Sequence, residues 1–454
     1  MLWSLRVTGD YPPRGDSMRK KGLFSLLALF FAFALIAASC GSDDDGGGDE
    51  SSGDSTTTTA ASDDEGGDAA QNTGDGTFTV GTLLPETGSL AFLGPPEFAG
   101  VDLAVADINE AGGVNGEEIP DAIQGDSGDT STDIASQTAD RLLSENADVI
   151  VGAASSGVSL TVIDKITGAG VIQFSPANTA PDFTDYDDNG LYFRTAPSDV
   201  LQGQLLGELI AGDGNATLGI LALDDPYGTG LAEFVTESFT DSGGEVVETV
   251  IYDPNATNFD AEVQQVADAQ PDAVIVIGFD ESARILTSMI EKGIGPSDIP
   301  VYGTDGNMGN ALAEQFDDPS QIAGMKGTTP LTDLSSDFTD RLDEIDPNLE
   351  DYNYAGESYD AVIITALAAD IAGTDEPSAV AAEINGVTKD GEVCTTYADC
   401  LELIEAGEDI DYDGITGPLS FGDAGEPSEA SFGVLVFGDD GIDDAQTTFE
   451  FAQI

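Results

Sequence analysis

The chain contains no histidine, and only 13 of its 454 residues are lysine or arginine, against 86 aspartates and glutamates. Without histidine, neither a Ser-His nor a Cys-His pair for nucleophilic catalysis can form. A GxxxxGK[ST] phosphate loop is excluded as well, since neither Lys326 nor Lys389 is followed by serine or threonine. Carboxylate pairs occur everywhere in so acidic a chain and do not by themselves indicate glycoside chemistry. The sequence therefore predicts that the protein is not an enzyme.

The scarcity of cations also limits the partners. Nucleic acids and anionic lipid surfaces are bound through cationic patches, so the scarcity of lysine and arginine argues against both as partners. Two interpretations of the acidity remain open, a cationic partner and solubility in a salty medium. We favour the second, because the acids are spread along the whole chain. Only eight cationic residues follow Cys40, namely Arg141, Lys165, Arg194, Arg284, Lys292, Lys326, Arg341 and Lys389.

Cysteine is rare, with three residues in the chain. Two of them, Cys394 and Cys400 in "VCTTYADC", are close enough in sequence to pair across a short loop in an oxidising compartment. Free thiols or a metal pair are the alternatives. With no histidine and no second cysteine pair, we expect a disulfide and no zinc.

Two acidic runs match the start of a calcium-binding loop: "DYDDNG" from Asp185 and "DIDYDG" from Asp409. Position twelve of such a loop requires a bidentate glutamate, and here it is Ala196 or Ser420. We interpret both runs as turns and expect no metal and no cofactor.

The amino-terminal region indicates export. The apolar run Leu23–Ala38 follows the basic residues Arg19–Lys21 and is too short to span a membrane, which is typical of a signal peptide. It ends in small residues before Cys40, and so resembles a lipoprotein signal in which the cysteine carries the lipid. An ordinary signal peptide is the alternative. We assign 1–17 to a mis-called leader, 18–39 to the signal peptide, and 40–76 to a disordered acidic Gly/Ser/Thr tether.

Beyond the tether, short Val/Ile-rich runs alternate with amphipathic segments. This pattern predicts βαβ units with parallel strands buried on both faces. The expected strands begin at Phe78, Asp148, Gly170, Thr217, Val246, Asp272 and Ile299, and the expected helices cover 98–111, 131–146, 198–211, 229–242, 259–269 and 281–292. In such sheets, ligands bind where the strands end.

The loops that follow these strands carry a family resemblance. "GTLLPETGSLAFLGPPEFAGVDLAVADINEAGGVNG" from Gly81, followed in order by "GAASSG", "FSPANTAPDFT", "DPYGTG" and "VYGTDG", resembles the branched-chain amino-acid (Leu/Ile/Val) receptors of ABC importers, which are type I periplasmic binding proteins. The resemblance implies an α/β clamshell with two lobes, each a helix-flanked and mostly parallel sheet. It places 77–197 with 329–425 in lobe 1 and 198–328 with 426–454 in lobe 2. Three crossings are expected, near Ala196, Thr329 and Pro418.

The resemblance also implies a binding site. Ser156, Ala177 and Thr179 match positions that hold an amino acid's carboxylate, and Asp305 matches the acceptor of its ammonium. Aromatic positions on the second lobe match Tyr227 and Phe279, and the first-lobe loop over the ligand side chain matches Phe92 and Leu93. The pattern departs from the family in two respects. Ser127 and Ala154 stand in loops where some relatives have paired cysteines, and Phe279 lacks a hydroxyl often present there, which leaves the recognised side chain open.

The implied function is that of a lipid-anchored, monomeric receptor outside the cell membrane, which passes a small amino acid to a permease and its ATPase. We expect no nucleic-acid partner. The same scaffold also serves short amides, urea and aromatic acids, so these remain alternatives. A surface sensor that reports to a signalling partner is another.

Overall fold

The structure, a computed structural model, describes residues 72–453. The predicted leader, the signal peptide and Cys40 lie outside this range. Part of the predicted tether lies inside it, and these residues are bound to the folded body. The backbone N–H groups of Asp75, Gly76 and Thr77 all donate to Oδ2 of Asp375 at 2.6–3.0 Å. The folded part therefore extends ahead of the predicted boundary after residue 76.

The helices and strands alternate over most of the described chain. The helices are α1 Gly94–Ala111, α2 Ile134–Ser144, α3 Ser156–Gly168, α4 Asp199–Gly212, α5 Pro226–Asp241, α6 Asp260–Ala269, α7 Ser282–Lys292, α8 Asn310–Ala313, α9 Ser336–Ile345, α10 Ala355–Ala372, α11 Pro377–Val387 and α12 Tyr397–Ala406. The strands are β1 Val80–Leu83, β2 Val149–Gly152, β3 Ile172–Ser175, β4 Tyr192–Arg194, β5 Thr217–Leu223, β6 Glu245–Tyr252, β7 Ala273–Ile277, β8 Val301–Gly303, β9 Lys326–Pro330, β10 Glu392–Cys394, β11 Ile410–Tyr412, β12 Glu429–Val436 and β13 Thr448–Gln453. No helix in this part of the chain is long and apolar enough to cross a membrane.

Two main sheets form the two lobes, which confirms the predicted α/β, mostly parallel architecture. The first sheet has the order β1-β2-β3-β4 and is entirely parallel. The second has the order β13-β12-β9-β8-β7-β5-β6. Its parallel strands run from β9 to β6, and β12 pairs antiparallel with both β9 and β13.

The chain passes between the lobes three times. It leaves the first sheet after β4 and enters α4, returns after β9, and crosses again between β11 and β12. Because both sheets are parallel near these crossings, the loops after β2, β3, β5, β7 and β8 meet at the cleft between the lobes. This arrangement places the loops named in the sequence analysis at one site.

Two details differ from the sequence predictions. The strand from Val246 was expected to be buried on both faces, but β6 is an edge strand, and Ile251 is 44% exposed. The acidic run from Asp409 is only partly a turn, because it contains β11, which pairs with β10. Tyr412 of β11 is buried, and its hydroxyl donates to Asp360 at 2.7 Å. This buried contact explains why the segment is extended.

Candidate ligand site between the lobes

Asp305 follows β8 and is the centre of a buried hydrogen-bond network. Its Oδ1 accepts from Gln202 Nε2 and from the Tyr227 hydroxyl, both at 2.9 Å. Its Oδ2 accepts from the Tyr354 hydroxyl at 2.9 Å. Burial raises the pKa of Asp305, although the bonds from Tyr227, Tyr354 and Gln202 oppose the shift. The carboxylate is therefore held in one orientation by groups from α4, α5 and the residue before α10.

Tyr227 and Phe279 form an aromatic wall beside Asp305. Asp225 caps α5 by accepting from the Tyr227 N–H at 3.0 Å. This cap sets the start of the helix and so the position of Tyr227 in its first turn. The two rings stack at 5.5 Å between centroids with an interplanar angle of 11°. Both side chains are buried, at 3% and 7% exposure. This wall offers a ligand an apolar face with the Tyr227 hydroxyl directed at Asp305.

The opposite side of the cleft is formed by the loops after β2 and β3. Ser155 caps α3, and the next residue, Ser156, is buried with its Oγ accepting from the Ala180 N–H at 3.3 Å. Ala177 is buried, and its N–H donates to Ser175 Oγ at 3.2 Å. Thr179 is 1% exposed, and its hydroxyl lies beside the Asp199 carboxyl, whose pKa it lowers against the larger effect of burial. The capping role that a serine after a strand often has belongs to Ser155, not Ser156.

Phe92 and Leu93 precede α1 and face the second lobe. The Phe92 ring packs closely against Gly309, where a Cβ would lie 2.9 Å from a ring carbon and would require the ring to shift. Leu93 is 2% exposed and packs in the same apolar cluster as Ala177, Tyr227, Phe279 and Tyr354. Phe92, Leu93, Ala177, Tyr227 and Phe279 thus pack in one cluster across the two lobes, with Asp305 bonded to Tyr227. Ser156 accepts its bond from Ala180 of its own lobe, and the Thr179 carbonyl accepts one from the N–H of Asp199 in α4.

Two cavities open beside this interface. The larger, about 480 Å³, is lined by loops of both lobes, including Leu90, Ser155, Asp225, Phe279 and Arg284. The smaller, about 170 Å³, is lined by residues that include Phe92, Phe279 and Leu312. Ser156, Thr179 and Asp305 are not among the residues that line either cavity. Asp305 is nonetheless the strongest candidate contact for a ligand, because its buried carboxyl lies against the aromatic wall and bonds to Tyr227.

The order of these loops agrees with a known family. A family model described as "Periplasmic binding protein" matches residues 77–426. The chain belongs to the periplasmic binding protein family.

Similar proteins include receptors with different reported roles. The chain is 29% identical over 373 residues to the chemotactic signal transduction system substrate-binding protein BasB of Halobacterium salinarum, covering 77% of this chain and 84% of BasB. Among solved structures, LivJ of Streptococcus pneumoniae in complex with isoleucine aligns with a TM-score of 0.67 at 22% identity, covering 83% of this chain and 100% of LivJ. A solute-binding protein from R. palustris in complex with benzoate aligns with a TM-score of 0.65 at 19% identity, covering 83% of this chain and 96% of the R. palustris protein.

Three residues at this periplasmic binding protein's cleft escaped the sequence analysis: Asp199, Gln202 and Tyr354. Asp199 and Gln202 lie in the first turn of α4, three residues apart and hence on one face of the helix. Their position directly after a crossing could have drawn attention to them. Tyr354 carries no such signal, but its φ of +60° is uncommon for a residue other than glycine. This backbone conformation directs the chain into α10 just where the Tyr354 hydroxyl reaches Asp305.

Proposed function

We propose that this protein is a lipid-anchored substrate-binding protein that captures a small amino acid between its lobes and delivers it to the permease and ATPase of an ABC importer. A branched-chain aliphatic amino acid is the favoured ligand. The observation that carries the proposal is Asp305, a buried carboxylate that accepts three side-chain hydrogen bonds. None of the ion pairs within residues 72–453 involves it. A buried carboxylate without a cation suits a ligand that brings one.

The other end of an amino acid would meet the loops after β2 and β3. The buried Thr179 hydroxyl and the backbone N–H groups around Ser156 and Ala177 can donate to a carboxylate. The amino end of α3, which begins at Ser156, adds a favourable dipole. Polar groups at two ends with Tyr227, Phe279 and Leu93 between them fit a zwitterion with an aliphatic side chain.

Binding would act by favouring the closed arrangement of the lobes. A ligand shifts such an equilibrium only as far as it binds the closed state better than the open one. A ligand that touches Asp305 on one side and Thr179 on the other meets this condition, because both contacts exist only when the lobes are together. The closed form would then be what a permease recognises.

A sensing role is the second candidate, and the likeness to BasB favours it. In that role the closed form would report to a signalling partner instead of a permease. Short amides, urea and aromatic acids are alternative ligands, and the benzoate-bound neighbour from R. palustris is an instance of the last class.

Two experiments test these proposals. Isothermal titration calorimetry of the purified protein with leucine, isoleucine, valine, short aliphatic amides, urea and benzoate would identify the ligand class. Binding of an amide, urea or benzoate in the absence of any amino-acid binding would overturn the amino-acid proposal. Deletion of the gene should then abolish uptake of the labelled ligand if the protein serves an importer. If uptake persists and only the response of swimming cells to the ligand is lost, the sensor role is correct.

A further inference from the structure

A short segment of the first lobe, residues 351–354, is hydrogen-bonded to the chain that follows β8 in the second lobe. The segment leads into α10, which packs on α1. Three of its residues make side-chain contacts across the interface. The contacts are Asp351 to Asn310, Asn353 to Met308, and Tyr354 to Asp305. The residue numbers rise on one side as they fall on the other, so the two segments run in opposite directions through these contacts.

The Asp351–Asn310 pair is the contact with the most bonds. The backbone N–H of Asn310 donates to Asp351 Oδ2 at 2.9 Å, and the Asn310 side-chain Nδ2 donates to Asp351 Oδ1 at 2.8 Å. Both oxygens of one carboxylate are thus engaged by a single residue of the other lobe. Two parallel bonds to a carboxylate fix an orientation as well as a distance. We call this pair the clasp.

The amide of Asn310 is itself held in place by the loop between β12 and β13. Its Oδ1 accepts from the Ile442 N–H at 2.9 Å. Gly441 permits this approach, because a Cβ there would collide with Asn310 Oδ1, and its φ of +149° also favours glycine. The second lobe therefore presents the Asn310 Nδ2 to the first lobe in one orientation.

The two donors of Asn310 are what favours a charge on Asp351. Burial raises the pKa of Asp351, and the neighbouring acids Glu350 and Asp444 add to the rise, whereas both bonds from Asn310 lower it. No lysine or arginine within residues 72–453 forms an ion pair with Asp351. The contact between the lobes at this point therefore depends on the bonds within the clasp.

The clasp lies beside a lobe crossing. Asp351 and Asn310 line neither of the cavities described above. They line a third, of about 430 Å³, together with Leu331, which directly follows β9 where the chain returns to the first lobe. A bidentate contact close to a crossing restricts the angle between the lobes. That angle decides whether Tyr354 reaches Asp305 at the candidate ligand site.

We infer that Asp351 and Asn310 are positioning residues, whose bidentate bond sets the angle between the lobes at which the ligand site is complete. The clasp thereby raises ligand affinity without touching the ligand, because apparent affinity grows with the fraction of protein in the binding arrangement. The inference rests on the proposed function in one respect, since its main readout is leucine binding.

The test exchanges the two side chains. Asp351→Asn sets amide against amide, and Asn310→Asp sets carboxylate against carboxylate, so each single variant should weaken leucine binding at least fivefold in calorimetry. The double variant restores the pair with its roles reversed: an amide at 351 donates to a carboxylate at 310, which can still accept from the Ile442 N–H. It should bind leucine within twofold of the wild type. Residues that only stabilise their own lobes would not be rescued by this exchange.

Asp346 and Asn348 provide the matched control. Asn348 donates to Asp346 through its backbone N–H at 3.0 Å and its Nδ2 at 2.9 Å, so the residue types and the bonds resemble those of the clasp. Both residues, however, lie in the connection between α9 and α10 of the first lobe. Asp346→Asn should therefore change leucine affinity less than twofold.

Small-angle X-ray scattering of the purified proteins without ligand gives a second readout. Each single variant should have a larger radius of gyration than the wild type, and the double variant should return to the wild-type value. Should Asn310→Asp not fold, Asp351→Asn decides by the same two measurements, because it brings no like charges together.

The inference is wrong if the folded single variants keep leucine affinity within twofold of the wild type, or if the exchange does not restore what they lose. Identical scattering profiles for the wild type and the variants would equally exclude it. A wild type that binds no amino acid at all would instead overturn the proposed function, and the scattering comparison would then decide the inference.

Discussion

The hydroxyl of Tyr354 donates a hydrogen bond across the cleft to Oδ2 of Asp305 at 2.9 Å. Tyr354 precedes α10, which packs on α1 and the first sheet, whereas Asp305 follows β8 of the second sheet. The bond therefore links the lobes directly at the candidate ligand site. The Tyr354 hydroxyl is a neutral donor, so it leaves the Asp305 carboxylate without a counter-charge. We propose that the ligand's ammonium supplies that charge.

Asp305→Ala should leave the fold intact and severely weaken amino-acid binding. Removing one partner of a buried charge pair typically costs about 2–5 kcal/mol, because the ligand's ammonium is then left without a counter-charge. Ser156→Ala and Thr179→Ala should cost less, since backbone N–H groups in the same loops would still hold the carboxylate. Calorimetry with leucine, isoleucine and valine measures each loss. A wild-type affinity retained by Asp305→Ala would contradict the proposed site.

The folded protein should gain stability as sodium chloride rises toward molar concentration. With 86 acids and 13 cations, the native state repels itself, and salt screens this repulsion. Thermal unfolding followed by circular dichroism at low, intermediate and molar salt measures the effect. A melting temperature that stays flat or falls would show that self-repulsion does not limit stability.

Stability should also rise as the pH is lowered from about 8 to about 5. Burial raises the pKa of Glu357 to about 8, and burial also raises the pKa of Asp148 to about 7. In the unfolded chain these groups titrate near pH 4. Between the two values the native state holds protons that the unfolded state releases, so the free energy of unfolding falls as the pH rises.

Glu357→Gln isolates one of these contributions. The variant should show a flatter dependence of the melting temperature on pH between 5 and 8 than the wild type, measured in molar salt so that general repulsion is screened. The pKa of Asp126 is lowered, so the stability that this group contributes is lost only when the pH falls below about 4. It does not affect the profile between pH 5 and 8. Identical pH profiles for the variant and the wild type would refute the role of Glu357.

The disulfide between Cys394 and Cys400 joins β10 to α12 across a short loop. In the chain-entropy account, closing so small a loop is worth only about 2 kcal/mol. Urea unfolding of the Cys394→Ser/Cys400→Ser double variant should therefore show a loss of this size. Thiol labelling of both cysteines in non-reduced, unfolded protein from the exported fraction would show instead that the bond does not form in the cell.

Cys40 lies outside the described residues, and its lipidation remains a prediction. The wild type should partition with membranes, because cleavage before Cys40 would leave an acylated amino terminus. Cys40→Ser should be released or accumulate as unprocessed precursor. Membrane fractionation with mass spectrometry of the amino terminus is the measurement. A fully soluble wild type with the bond between Ser39 and Cys40 intact would exclude the anchor.

The sequence alone predicted the parts of the fold that local pattern specifies. The strands β1, β2, β3, β5, β7 and β8 are apolar runs because they are buried on both faces, and periodicity reveals such runs. In contrast, β9 reads "KGTTP" and becomes a strand only by pairing with β8 and β12. Helix α10 was missed because it is buried almost all round and shows no polar face.

At the candidate site the same division holds. The strand-end rule pointed to the loops that carry Asp305, Tyr227 and Thr179. The family resemblance of those loops implied the residues themselves. The partners of Asp305 could not be named from the sequence: Gln202 is 103 residues away along the chain and Tyr354 is 49. Which helix ends meet across the cleft depends on how the two lobes pack, and no local pattern encodes that packing. The sequence thus determined which residues follow the strands, and the tertiary structure decided that Gln202 and Tyr354 converge on Asp305.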